Sequence, residues 1–165
     1  MGRAELIASV EAQLAAGRNV VLTGSSGIGK TALMDALAAA ANTRGEVVLR
    51  AAGAETERWI PYAALADLLS QVPERQLAKL PRVQRAAVDG LLVPGSRPGE
   101  SGQERVAYRL AWQTLLARCA ETAPVLVLVD DAQWLDAASA EVITRAARAL
   151  AGRGVRLLAA GRWPE

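Results

Sequence analysis

At 165 residues the chain is one domain long, enough to bury roughly two-thirds of its unfolded surface without covalent staples. Hydrophobic residues make up 52% and charged residues 22%, which excludes a disordered chain, and the net charge of +2 comes with arginines dispersed along it, which argues against a nucleic-acid-binding face. The absence of histidine excludes histidine-based catalysis and most zinc centres; the single cysteine, Cys119, excludes an internal disulfide and points to a reducing compartment. The opening MGRAELIASV lacks the apolar core of a secretory leader, and the longest aliphatic run, Val125–Val129, is strand-sized, so a cytoplasmic protein with no membrane partner is expected.

Leu6, Ile7, Val10 and Leu14 share one face of a first helix, which Gly17 stops. Asn19–Thr23 is a short strand running into a glycine-rich turn. A helix follows from Lys30 to about Ala41, with Leu33, Leu37 and Ala41 on one stripe, and Glu46–Ala51 is the next strand. Pro61 opens a helix carrying Leu65, Leu68, Leu69 and Val72; Pro73 and Pro81 divide the next stretch into two short helices. Val93–Gln103, dense in Pro, Gly and Ser, reads as a flexible loop. A long helix then places Tyr108, Trp112, Leu115, Leu116 and Cys119 on one apolar stripe, which makes them core residues. VLVLV after Pro124 is a strand buried on both faces, ending at Asp130–Asp131. Asp136 caps a helix running to about Leu150, and Val155–Ala160 is a fourth strand. Alternating strands and helices predict an α/β fold in three layers, a mostly parallel sheet with helices on both faces, ending after its fourth core strand. Residues 1–165 are expected to form a single domain.

Gly24-Ser25-Ser26-Gly27-Ile28-Gly29-Lys30-Thr31 matches G-x-x-x-x-G-K-[ST] in full. This spacing lets a strand enter a tight turn whose backbone amides converge on a phosphate. Gly24, Gly27 and Gly29 allow the unusual dihedrals, and the amides of the next helix, from Lys30, Thr31 and Ala32 onward, add a positive dipole end. Lys30 would reach the β- and γ-phosphates and the Thr31 hydroxyl would hold Mg²⁺. The chain has only two lysines, and one falls here.

Phosphoryl transfer also needs an acidic element, and Asp130–Asp131 at the end of VLVLV supplies it. Asp130 is expected in the Mg²⁺ shell and Asp131 to polarise the attacking water. Trp134 is expected to pack beside the site. Arg162, just past the fourth strand, would sit at the same sheet edge and sense or stabilise γ-phosphate charge.

GRAEL (2–6), GSSGIGKT (24–31), LPRVQRAAV (80–88), VLVLVDDAQWLD (125–136) and LLAAGR (157–162) together resemble the ATPase domain of large ATP-binding regulators of the LuxR family, members of the STAND-class P-loop ATPases. The resemblance runs across nearly the whole chain, and DDAQWLD is its most specific piece. It implies that Gly2 and Arg3 lie near the nucleotide base, that the aspartate pair takes the magnesium and water roles, and that the arginine after the fourth strand is a sensor. It further implies an excised core of a longer regulator whose fifth strand, winged-helix region, repeats and DNA-binding helix-turn-helix lie elsewhere. DNA binding would then belong to those parts, and self-association on activation is a further implied partner.

The resulting expectation is an ATP/ADP-binding switch domain of a transcriptional regulator, with slow Mg²⁺-dependent ATP hydrolysis. Two alternatives remain at this level. A nucleotide-locked interaction module without useful hydrolysis would use the same residues. A small-molecule kinase would carry an acidic motif on the strand after the first crossover helix, where EVVLRAAG has no acid beyond Glu46.

Overall fold

The computed structural model describes residues 2–99 and 101–162. Within these residues four strands, β1 (Val20–Thr23), β2 (Val47–Ala52), β3 (Val125–Asp130) and β4 (Val155–Gly161), form one sheet in the order β1-β4-β3-β2, and every pairing is parallel. Among the described residues seven α-helices cover it: α1 (Arg3–Ala15), α2 (Lys30–Thr43), α3 (Ala63–Ser70), α4 (Glu74–Leu77), α5 (Arg82–Leu92), α6 (Gly102–Ala120) and α7 (Ala137–Ala149). The expected α/β three-layer fold is what the chain adopts.

The central strand shows why. All six residues of β3 are buried, and their alternation splits the core. Leu126 and Leu128 pack with Val10 and Leu14 of α1 and Leu33, Met34 and Leu37 of α2. Val125, Val127 and Val129 face the layer of α3, α5, α6 and α7, where Trp112, Leu115 and Leu65 are among the fully buried side chains. A run apolar at every position is what a strand sandwiched between two helical layers requires. Tyr108, Trp112 and Cys119 lie in that core, as their stripe on α6 implied.

Element boundaries differ by small amounts from the sequence reading. The strands begin at Val20 and Val47, one residue later than expected, and β2 runs on to Ala52. The helix expected from Pro61 starts at Ala63, because Tyr62 adopts a left-handed backbone (φ 63°). The end of the expected loop 93–103 is already helical: Ser101 caps α6 by accepting from Glu104 N–H while the Glu104 carboxylate accepts from Ser101 N–H.

The outer edge of β2 is blunted by a side chain. Gln71 Oε1 accepts from Arg50 N–H at 2.8 Å, and its Nε2 donates to Arg50 C=O at 2.6 Å, so one amide occupies the place of a neighbouring strand. With four parallel strands, the exits of β1, β2, β3 and β4 all lie at the C-terminal edge of the sheet. That edge therefore gathers the glycine-rich turn, Gly53, Asp131 and Arg162.

Candidate functional site at the C-terminal edge of the sheet

The chain leaves β1 through residues 24–29 and enters α2 at Lys30. Gly27 and Gly29 sit at φ 80° and 94°, a left-handed region costly for residues with a Cβ, and Gly29 is the N-cap of α2. Lys30 Nζ donates to the carbonyls of Gly24 and Ser25, both at 2.7 Å, which holds the ammonium over the turn. The exposed amides of the helix start, the lysine and the left-handed glycines together form an anion-accepting concavity.

A cleft of about 320 Å³ adjoins the turn, lined by Gly2, Arg3, Leu6, Leu22, Thr23, Ile28, Gly29, Lys30 and Leu33. Gly2 and Arg3 are thus brought to the turn, fixed at the head of α1 by a 2.9 Å bond from Gly2 N–H to the Glu5 carboxylate. The cleft is apolar at Leu6, Leu22, Ile28 and Leu33 and cationic at Lys30 and Arg3, a match for a flat heterocycle joined to phosphates. A larger cleft of about 520 Å³ lies between α6, α7 and the segment before α3, lined by Arg58, Tyr62, Arg105 and Glu141 among others; it includes no residue of the glycine-rich turn.

Asp130 is buried (5% exposed), and its Oδ2 accepts from the Thr31 hydroxyl at 2.7 Å, across 99 residues of sequence. A hydroxyl and a carboxylate side by side form a hard-oxygen pair of the kind that binds Mg²⁺, which takes one or two protein oxygens and completes its shell with phosphate and water. Among the described residues no three His, Cys, Asp or Glu side chains cluster as a metal cage. Arg50, on the adjacent strand β2, places its guanidinium 3.9 Å from Asp130 Oδ2 and pairs with Asp35 of α2. Its proximity in space was invisible in EVVLRAAG.

Asp131 is exposed beyond the end of β3, with a left-handed backbone (φ 46°). Among the described residues only Tyr62 shares that conformation without being glycine. Three bonds hold Asp131 there: its N–H donates to Asp130 Oδ1 at 2.9 Å, its C=O accepts from Trp134 N–H at 2.9 Å, and its Oδ1 accepts from Gln133 Nε2 at 3.1 Å. Such strain persists only where the surroundings over-determine it, and it concentrates at functional sites. Gly53 packs against this turn so closely that a Cβ would lie 2.4 Å from Asp131 C=O.

Arg162 follows β4, and its backbone N–H donates to Gln133 Oε1 at 2.9 Å. Its guanidinium lies 6.0 Å from the ring of Trp134, which also has Arg58 5.6 Å from it. Trp134 therefore packs beside the acidic strand end, with two guanidiniums near its ring. The fold brings Lys30, Thr31 and Asp130 together, joins Arg162 to Asp131 through Gln133, and gathers Gly2 and Arg3 at the turn; Ser26 and Ala32 lie within the same segment.

A family model for the AAA ATPase domain matches residues 1–158. The chain belongs to this family. No curated protein sequence matches it. An AAA ATPase domain is a P-loop nucleotide-binding module, and such modules ordinarily work with Mg²⁺. Among the described residues no helix is long and apolar enough to cross a membrane.

Sequence reasoning missed Arg50, Gly53 and Gln133. Asp136 is the cap of α7, as the sequence implies. It does accept from Ser139 N–H at 2.8 Å, but it also accepts from Tyr62 N–H at 2.8 Å and Ala64 N–H at 3.3 Å, tying α3 to α7. The one local signal available was Gln133 itself, a polar residue two places after a strand-end aspartate.

Proposed function

We propose that this AAA ATPase domain is an ATP/ADP-binding switch that hydrolyses ATP slowly, within a transcriptional regulator of the LuxR-type STAND class. The observation that carries the reading is the Thr31–Asp130 hydrogen bond of 2.7 Å, which unites the glycine-rich turn with the acidic strand end.

The amides of Gly27, Gly29, Lys30, Thr31 and Ala32 would receive phosphate oxygens. Lys30 would exchange its two neutral carbonyl acceptors for charged oxygens, and charge-assisted bonds are roughly twice as strong as neutral ones. Thr31 and Asp130 would hold Mg²⁺, which when bound neutralises charge on the β- and γ-phosphates. Asp131 has one carboxylate oxygen engaged by Gln133, leaving Oδ2 to accept the proton of a water attacking the γ-phosphorus as the bond to the ADP oxygen breaks. Arg162 would balance the charge on the transferred group, and Gly2 and Arg3 would border the base. Without an arginine from a neighbouring subunit, turnover falls orders of magnitude below 1 s⁻¹ by analogy with unassisted switch NTPases.

The regulator context rests on DDAQWLD and the accompanying motifs. In this reading 1–165 is one domain of a longer cytoplasmic protein, its partners are nucleotide, the remaining domains and further copies of itself, and DNA is bound elsewhere. Calorimetric titration of ATP and ADP with Mg²⁺ into wild type and Lys30→Ala tests it. Binding by wild type that collapses in the variant is expected; equal binding by both would overturn the assignment of the phosphate site.

A further inference from the structure

Gln133 bonds to both Asp131 and Arg162, the residue that follows β4. Its Nε2 donates to Asp131 Oδ1 at 3.1 Å, and its Oε1 accepts from Arg162 N–H at 2.9 Å. These partners fix the amide's orientation, since a carboxylate only accepts and a backbone N–H only donates. The amide is planar, so moving either partner tilts the bond to the other. Residues 133 and 162 are 29 apart in sequence, so the link joins two strand ends rather than neighbours in one turn. The next residue, Trp134, carries the Arg162 guanidinium over its ring and donates its N–H to Asp131 C=O at 2.9 Å. The Gln133–Trp134 pair thus organises a carboxylate and a guanidinium at once, while Asp131 is held in a left-handed conformation from which small rearrangements release strain.

We propose that Gln133 is a positioning residue that couples the Asp131 carboxylate to Arg162, so that the presence or absence of a γ-phosphate at Asp131 is transmitted to the end of β4. The inference rests on the nucleotide-binding reading above and adds how that site distinguishes ATP from ADP. ADP lacks the phosphate that Asp131 would face, so its binding is expected to be independent of Gln133. ATP binding and hydrolysis need Asp131 and Arg162 presented together, and so depend on Gln133.

Two variants separate the arms. Gln133→Ala removes both bonds. Gln133→Glu still accepts from Arg162 N–H but sets a carboxylate against Asp131. Calorimetry with ATP and with ADP, single-turnover phosphate release and thermal melting would be measured on wild type and both variants. Both variants should keep ADP affinity within about twofold of wild type, while the ATP-to-ADP affinity ratio and the phosphate-release rate each change by tenfold or more. An unchanged ratio and unchanged release with ADP binding intact would overturn the coupling. A parallel loss of ADP and ATP affinity would also overturn it and make Gln133 a folding residue. If wild type binds neither nucleotide, the nucleotide reading fails first and the coupling falls with it.

Discussion

Replacing Asp136 by alanine tests whether one buried carboxylate joins two helices. Asp136 is 3% exposed and accepts from three backbone N–H groups: Ser139 in α7, and Tyr62 and Ala64 at the start of α3, 74 and 72 residues away. Losing an N-cap acceptor costs about 1 kcal/mol. Leaving two buried amides unpaired adds about 1–3 kcal/mol for each, toward the lower end for Ala64, whose bond is 3.3 Å long. Tyr62 partly offsets this, since a left-handed non-glycine residue carries roughly 1–2 kcal/mol of strain that a freed loop would release. The net expectation for Asp136→Ala is a loss of roughly 3 kcal/mol, or a fall in Tm of about 6–12 °C at 2–4 °C per kcal/mol for this size. Asp136→Asn keeps an oxygen for Tyr62 and Ser139 but sets its NH2 against Ala64 N–H, donor to donor, and makes the two retained bonds neutral, so it should cost about 1–2 kcal/mol, less than alanine. Urea denaturation of the three proteins, checked for equal m-values, reads these differences directly. An alanine variant within 1 kcal/mol of wild type, or an asparagine variant no better than alanine, would refute the argument.

Three further outcomes are expected. Gly53→Ala would force a methyl within 2.4 Å of Asp131 C=O and 2.8 Å of the Trp134 carbonyl carbon, so it should destabilise by roughly 1–3 kcal/mol and shift the Asp131 turn; an unchanged urea midpoint would count against that close approach. Burial pushes the Glu46 carboxyl up, but hydrogen bonds and charge from Arg156 and Arg44 outweigh it and leave the group below its ordinary 4.5. Its contribution is therefore fully present above about pH 4.5 and lost as pH falls through the lower folded value, so the stability gap between wild type and Glu46→Gln should shrink on acidification below that point; a gap that grows there would contradict the pairing. Burial pushes the Cys119 thiol up, with Arg75 opposing weakly, and the side chain is 4% exposed, so a disulfide reagent at pH 8 should label it only after denaturation.

Much of the fold was legible because its signals are local. VLVLV is apolar at every position, β-branched at every second one and bounded by Pro124 and two aspartates, so a strand covered on both faces could be read directly, though not its place in the sheet. The glycine-rich turn was equally plain, since the positive φ of Gly27 and Gly29 is a requirement written in residue type. Helix α3 was misplaced by two residues because Tyr62 takes a conformation its own type disfavours, held by Asp136 from far along the chain.

The sequence by itself thus determined the strands, the phosphate-type turn, the acidic strand end and the order in which they occur. Only the tertiary structure decided which side chains meet there: Thr31 with Asp130 across 99 residues, Arg50 beside that carboxylate, Gly53 beneath the Asp131 turn, and Gln133 between Asp131 and Arg162. Periodicity and residue type report the few neighbours within one turn of helix or one strand. Contacts between strand ends depend on sheet order and register, which are set by how the two apolar layers close over β3 and leave no imprint on any single stretch of chain.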